Sequence, residues 1–442
     1  MIKSPAQAEW AQVLQTATTH AHQNDFLSER LNEPGASFVQ ELKHKGSPLR
    51  GVYPKQPIKA GTEIREGELA VIQVLNHFNI GGLFRAPMWN SGFWVTFKPA
   101  TDTEIFELNR IISTDKYQAG RWSYGLSLTS NTVYTLDRVL EFVLAHVYST
   151  SISQEELPVS KLLTVLAPQD IEAFIWGYLC SNYPSGFHYK TACSEDATKC
   201  NYVFEETLNV SKLGWSDESV ITENMLQHML TAFTPHSKKL ESVKKYQEDF
   251  SRLQKKRTII NEGTDYEIAI TLKTPTTLEY LEQGHRWIGG LVDSVNQAMG
   301  LDSDINERNA QINKLNLATT LCQYQHWIDA IEIGQVSGNR GEEGEPKVAK
   351  IIDPATIADT LKALSSTDSI REAIIKEVLD FVSRSTTTVI GVPVFECPEC
   401  NKEQSVKHSF PRHTSIVPLD LLQVFFALLG RKLDRIVSKS LS

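Results

Sequence analysis

The chain has 442 residues, enough for two or three domains, and its 41% hydrophobic and 22% charged content is that of a chain able to bury sizeable cores. A formal net charge of −9 argues against nucleic-acid binding through bulk charge. The polar sequence after Met1, and the lack of any apolar run near the roughly 20 residues that span a bilayer, lead us to expect no leader, no membrane-spanning segment and synthesis in a cytoplasm.

Residues 1–50 read as an N-terminal helix, Ala6 to Asn24, and a polar linker through Asn32-Glu-Pro-Gly. Residues 51–185 read as an α/β domain whose β-rich N-terminal part runs from Gly51 to Phe97. In it, Glu68-Leu-Ala-Val-Ile-Gln-Val-Leu and Phe93-Trp-Val-Thr-Phe are predicted strands. Between them, Asn79-Ile-Gly-Gly-Leu-Phe-Arg-Ala-Pro is a predicted loop, and its glycines lack a phosphate-cradling spacing. Thr101 with Glu104 three residues on is a capping box that starts a helix carrying Ile105, Leu108, Ile111 and Ile112. A Gly/Ser-rich connection, Ala119 to Gly125, follows. Leu136, Val139, Leu140, Val143, Leu144 and Val147 then form one helical stripe, and a further helix is predicted from Pro168 to Leu179.

Residues 211–385 read as a helical insertion. Helices are predicted over Thr222–Phe233, His236–Arg257, Thr276–Met299, Asn306–Ile333, Pro354–Leu364 and Ser369–Ser383, with one strand from Tyr266 to Lys273. The helix from His236 to Arg257 carries eight Lys/Arg against three acids, which reads as a solvated face or one docked on an acidic partner. Ser337 to Pro346 is a charged, glycine-rich loop. Residues 416–442 form an amphipathic C-terminal helix whose Leu421, Leu422, Phe425, Phe426, Leu429, Leu433 and Ile436 cap the protein's own core or dock on a neighbour.

Two cysteine pairs stand out. Cys193 and Cys200 are separated by six residues, Cys397 and Cys400 by Pro398 and Glu399, and each pair lies in a frame of glycine, extended run, cysteine, turn, Cys-Asn and a second extended run. Two hairpins, each offering two thiolates at its turn, meet the needs of a tetrahedral structural Zn2+ site. Residues 186–210 and 386–415 are then halves of one zinc-ribbon module, and everything between them is an insertion. Other readings of these residues are small core cysteines, a redox dithiol at Cys397 and Cys400, disulfides, or a compact finger of Cys397, Cys400, His408 and His413. Cys180 and Cys322, on apolar runs, read as core residues. No serine elbow, paired-histidine metalloprotease helix or phosphate loop is found, and His188, His228, His285 and His326 are scattered singly, so no enzyme activity is expected. The expected fold class is α+β, predominantly helical, with a β-rich N-terminal part and a zinc-ribbon-like pair of cysteine hairpins.

The string Phe93-Trp-Val-Thr-Phe-Lys-Pro-Ala-Thr-Asp-Thr-Glu, the Cys193/Cys200 hairpin, Tyr280 with Gly284-x-Arg286-Trp287-Ile288, and Cys397-Pro-Glu-Cys400 with Ile416-Val-Pro-Leu-Asp420 resemble virion proteins of contractile-tailed bacteriophages. The likeness is strongest to hub-type baseplate proteins and spans roughly residues 50 to 438. It implies a non-enzymatic tail-baseplate subunit, assembled in the host cytoplasm, present in several copies in the virion and held by other phage tail or baseplate proteins. The first fifty residues and the loop around Asn339 fall outside the likeness. Hub proteins of this sort can be much shorter, which marks the insertion as a further partner surface. The alternative is a cytoplasmic zinc-ribbon adaptor or tail-assembly chaperone, binding nucleic acid or another tail protein through the basic helix. The acidic chain lacks a stacking platform beside that helix, so no specific nucleic-acid binding is expected.

Overall fold

The structure is a computed structural model that describes residue 51 and residues 67–77, 81–121, 128–250, 253–335, 348–404 and 416–440, apart from 185, 194, 197, 209, 217–220, 263–265, 301–302, 319, 394 and 420. The N-terminal helix expected from Ala6 to Asn24, the loop around Asn339, and His408 and His413 lie outside the described residues. The described chain is mixed α/β, and every ladder between its strands is antiparallel.

The chain enters with α1 (Gly67–His77), where a strand was expected. A short apolar run does not by itself distinguish strand from buried helix, and here no neighbouring strand pairs with it. Of its apolar residues Ile72 is buried, whereas Val71 and Val74 are exposed. The expected loop from Asn79 contains β1 (Phe84–Met88), which pairs with β2 (Phe93–Phe97). Pro87 lies inside this strand. It is tolerated because β1 is the sheet edge, where a missing N–H costs no ladder bond. Both strands are almost wholly buried.

The capping box before α2 (Asp102–Arg121) is present: the Thr101 N–H donates to Glu104 Oε2 at 2.8 Å and the Glu104 N–H to Thr101 Oγ1 at 3.4 Å. Helix α3 (Leu128–Ala145) buries Leu136, Val139, Leu140 and Val143 as its stripe predicts. Val147 belongs instead to β3 (Val147–Thr150), which completes the sheet β1-β2-β3. Helix α4 (Ile171–Asn182) is buried on nearly all sides and crosses this sheet with bare Gly177 against Phe97 and Ala86. A Cβ at Gly177 would sit 2.3 Å from the Phe97 ring.

Strands β4 (Phe187–Ala192) and β5 (Val203–Leu208) form the first cysteine hairpin, and β6 (Gly214–Ser216) follows. Helices α5 (Glu223–Thr231) and α6 (Leu240–Asp249) close a second, smaller core over Trp89 and Trp94 with Met225, Met229, Tyr246 and Phe250. The long helix expected from His236 to Arg257 is overturned. Its apolar period stops at Phe250, and the β-branched run around Ile259 and Ile260 enters β7 (Lys256–Glu262). Its last three cations are engaged with acids: Lys255 with Asp329 at 2.7 Å, Lys256 with Glu377 at 3.2 Å, and Arg257 with Glu332 at 2.7 Å and Glu267 at 3.0 Å.

Strand β8 (Tyr266–Leu272) and helix α7 (Thr277–Met299) lie where expected, the helix opened by a capping box of Thr276 and Glu279. The single helix expected from Asn306 to Ile333 is instead α8 (Ile305–Ala318), a 3-10 turn (Thr320–Trp327) and β9 (Ile328–Gln335). Ile331, Glu332 and Ile333 alternate at strand period, a signal outweighed by the helical residues before it. With β10 (Val348–Ile351) these strands form a four-stranded sheet ordered β10-β9-β8-β7, so residues 211–385 hold a sheet besides their helices.

Helices α9 (Pro354–Leu364) and α10 (Asp368–Ser385) then lead to β11 (Thr388–Pro393). Strands β12 (Phe395–Glu396) and β13 (Glu403–Gln404) form the second cysteine hairpin, and β14 (Ile416–Pro418) and α11 (Leu421–Ser440) end the described chain. Helix α11 turns Leu421, Val424, Phe425, Leu428 and Leu429 into the protein's own core, with Phe425 facing the Phe142 and Tyr178 rings.

Late segments of the chain pack directly on earlier ones away from the cysteine hairpins too. Strand β11 is flanked by β6 and β14. Deeper in, the fully buried turn Trp89–Gly92 reaches the end of α10: Asn90 Nδ2 donates to the Ser385 carbonyl, Thr387 Oγ1 donates to Asn90 Oδ1 at 2.5 Å, and Gln169 Nε2 donates to Ser385 Oγ at 2.8 Å. Gly92, at φ +80°, completes this turn under the Tyr246 ring.

Candidate metal centre

The two cysteine hairpins repeat one backbone device. In the first, the Cys193 N–H donates to the carbonyl of Tyr202, two residues past Cys200, at 2.9 Å. In the second, the Cys397 N–H donates to the carbonyl of Lys402, two residues past Cys400, again at 2.9 Å. Each bond closes a turn that brings its two thiols to the same end of the hairpin. The first turn is tightened by the Cys200 N–H donating to the Asp196 carbonyl at 3.0 Å. The second is tightened by the Asn401 N–H donating to the Cys397 carbonyl at 2.7 Å, with Asn401 at φ +55°. Asparagine is among the few side chains that accept that left-handed conformation.

The hairpins face each other through their turns. Cys193 Sγ lies 3.6 Å from Cys400 Sγ, and Cys200 Sγ 3.7 Å from Cys397 Sγ. All four sulfurs lie within 4.8 Å of one another, with three of the cysteines buried and Cys400 partly exposed. Metal–thiolate bonds of about 2.3 Å at tetrahedral angles put sulfurs about 3.8 Å apart, so the two short edges already have the spacing of a tetrahedral site. Four cysteines far apart in sequence thus form one cluster that can hold a metal ion.

Charges around the cluster tie its halves together. Lys402 on the second hairpin pairs with Glu195 on the first at 3.0 Å, and Lys199 approaches the same carboxylate at 3.9 Å. The Glu195 N–H points at Cys193 Sγ at 3.4 Å, a donor that favours thiolate. Without a cation the thiols oppose each other's ionisation. The Tyr202 backbone lowers the Cys200 thiol, but burial and bonds to the Cys397, Cys400 and Cys193 thiols leave it up at about 12. A divalent cation removes that conflict, because thiolates on a metal are held ionised by its charge.

The other sequence-marked residues lie elsewhere. Cys180 is buried in α4, and Cys322, in the 3-10 turn, donates to the Ala358 carbonyl at 3.9 Å, both as core residues. His228 Nε2 bonds the Gly92 carbonyl at 2.7 Å and His285 Nε2 meets Asp137 at 3.0 Å, whereas neither ring nitrogen of His326 has a partner. Glu195 and Lys402, which clasp the hairpins from outside, escaped the sequence reading. Opposite charges beside separate cysteine pairs become meaningful only once the pairs are known to meet. Among the described residues, no helix is long and apolar enough to cross a membrane. Fold and site together define a mixed α/β protein with its middle and end joined at a four-cysteine cluster. Compared with protein-family models, with curated proteins and with solved structures, the chain matches none.

Proposed function

We propose that the protein is a structural subunit of a contractile phage tail baseplate, of the hub type, and that Cys193, Cys200, Cys397 and Cys400 hold one structural Zn2+. The observation that carries the zinc reading is the four-sulfur cluster, two of whose edges have tetrahedral spacing. Four thiolates fill a zinc coordination sphere and leave no position for substrate, which favours structure over catalysis. The baseplate reading rests on the sequence resemblance, and most of the residues behind it have scaffolding roles. Phe93 to Phe97 are the buried strand β2, Trp287 and Ile288 are buried in α7, and Gly284 lies against Val133. Exposed Val71 and Val74 on α1, and Phe106 on α2, offer apolar contacts suited to neighbours in an assembly.

Elemental analysis of the purified chain is expected to give one zinc per molecule. Mass spectrometry of purified virions is expected to find the protein at fixed stoichiometry, and deletion of its gene to stop tail assembly. Virions that lack it while infectious tails still form would remove the baseplate reading and leave the zinc reading intact.

A further inference from the structure

The four thiols of the cluster differ in access. Cys193, Cys200 and Cys397 are buried, and Cys400 is partly exposed, so a dissolved reagent meets Cys400 first. The sulfur in contact with it is Cys193 Sγ, at 3.6 Å on the other hairpin, and Cys200 meets Cys397 across the same divide at 3.7 Å. Contact therefore sorts the cysteines into two cross-hairpin pairs, whereas the sequence presents two pairs within hairpins. A disulfide holds its sulfurs about 2.05 Å apart. Each cross-hairpin pair then has about 1.6 Å to close, within reach of side-chain torsions and a small shift of the second hairpin. The strands of that hairpin are only two residues long and can yield.

Contacts that need no metal hold the first of these pairs face to face. Lys402, two residues past Cys400, pairs with Glu195, two residues past Cys193, at 3.0 Å. The Glu195 N–H also points at Cys193 Sγ at 3.4 Å. Both contacts can outlast the loss of a metal ion and keep Cys193 opposite Cys400.

We propose that hydroperoxides open the metal cluster and that its cysteines then close as two cross-hairpin disulfides, Cys193–Cys400 followed by Cys200–Cys397, so that the hairpins stay joined after the metal has left. The inference rests on the metal half of the proposed function and is independent of the baseplate half. In the first step the Cys400 sulfur attacks one peroxide oxygen, the O–O bond breaks, and the leaving hydroxide is protonated to water. The Cys193 thiolate then attacks the Cys400 sulfenic acid, the S–O bond breaks, and a second water leaves. A second peroxide oxidises Cys200 and Cys397 in the same way. Each peroxide accepts two electrons, four protons are taken up in all, and the metal is given up as the divalent ion, neither oxidised nor reduced.

The test treats the full, zinc-loaded chain with hydrogen peroxide, follows zinc release with a metal-sensitive dye, and maps disulfides by mass spectrometry after alkylation in denaturant. Trypsin cuts after Lys199 and a glutamyl protease after Glu399, so the four thiols fall on separate peptides. Zinc is expected to leave as thiols are lost, with the Cys193–Cys400 link appearing before Cys200–Cys397. Cys180 and Cys322, both buried outside the cluster, should remain alkylatable. Dithiothreitol followed by zinc should restore the starting form. In chelated protein, Cys400→Ser should lose its remaining cluster thiols at least about tenfold more slowly than Cys397→Ser, which keeps the exposed sulfur and its partner. Reduced protein without zinc would overturn the metal reading and this inference with it. Zinc-loaded protein that forms Cys397–Cys400 and Cys193–Cys200 links, ends in sulfinic or sulfonic acids, or keeps its zinc under peroxide would overturn this inference alone.

Discussion

Asp170 makes stability fall as pH rises, and the size of the fall follows from its surroundings. The carboxylate is fully buried beneath the Trp89–Gly92 turn. It accepts the Asn90 N–H at 3.2 Å, the Ser91 N–H at 2.7 Å and the Ser91 hydroxyl at 2.6 Å, with no cation beside it. Burial outweighs those three bonds and raises its pKa from 3.8 to about 6. Between those values the folded protein binds more protons than the unfolded chain. Asp170 therefore contributes stability that is present below the unfolded pKa and lost as pH rises through the folded one. Two units at about 1.4 kcal/mol each come to about 3 kcal/mol, of which about 2 kcal/mol falls between pH 4.5 and 7.5. Urea unfolding of metal-replete protein, followed by the fluorescence of neighbouring Trp89 and Trp94, measures it. Asp170→Asn orphans the Asn90 N–H, at a cost of about 1–3 kcal/mol, but does not titrate. The stability of the wild type relative to the variant should thus drop by about 2 kcal/mol from pH 4.5 to 7.5. Other titrating groups, the cysteine cluster included, cancel in that difference. A difference that stays flat, or grows with pH, would refute the assignment.

Three further outcomes are expected. Gly92→Ala should lose more than about 2 kcal/mol in thermal unfolding, because its Cβ would lie 2.2 Å from the Tyr246 ring at a φ of +80° that alanine resists. Thr276→Ala removes the side-chain acceptor of the α7 capping box and should cost about 1 kcal/mol in urea unfolding, leaving zinc content unchanged. Cys193→Ser or chelation should abolish stoichiometric zinc binding and speed hydrogen exchange in β4, β5, β12 and β13, while β6 and β11 keep their protection. Global unfolding on chelation would refute that local reading.

Short-range signals in this sequence carried over into structure where one local rule decided the outcome. The capping box at Thr101, the helix from Thr276 to Met299, the α3 stripe and the paired cysteine frames are of that kind, since nearby residues contain the deciding chemistry. Expectations failed where tertiary contacts chose between two locally acceptable conformations. The run Glu68–Leu75 forms a helix, Pro87 lies in an edge strand, and the segments after Phe250 and Ala318 leave the helix to join one sheet. Strands β7 and β9 are stabilised by each other through β8, a pairing no window of sequence contains. The Asn90–Ser91–Asp170 network was illegible for the same reason: its polar residues look like surface residues until burial brings them together.

A metal held at the cluster would not be the only tie between late and earlier parts of the chain, and this changes what it would be for. The sequence suggests a clasp closing a long loop, so that losing it would loosen the whole molecule. In the structure, β6 pairs with β11 and the Trp89–Gly92 turn grips the end of α10 without any thiol. Strands β12 and β13 are two residues each. A hairpin that short does not hold itself together in water. Metal–thiolate bonds there would supply locally the stability that a core would otherwise provide, because binding energy at such a site is folding energy. The Glu195–Lys402 pair adds little at its exposed position beyond fixing which way the hairpins face. A metal at the cluster would therefore order the two hairpins on a fold already closed by its own contacts, and the surface those hairpins present would depend on it.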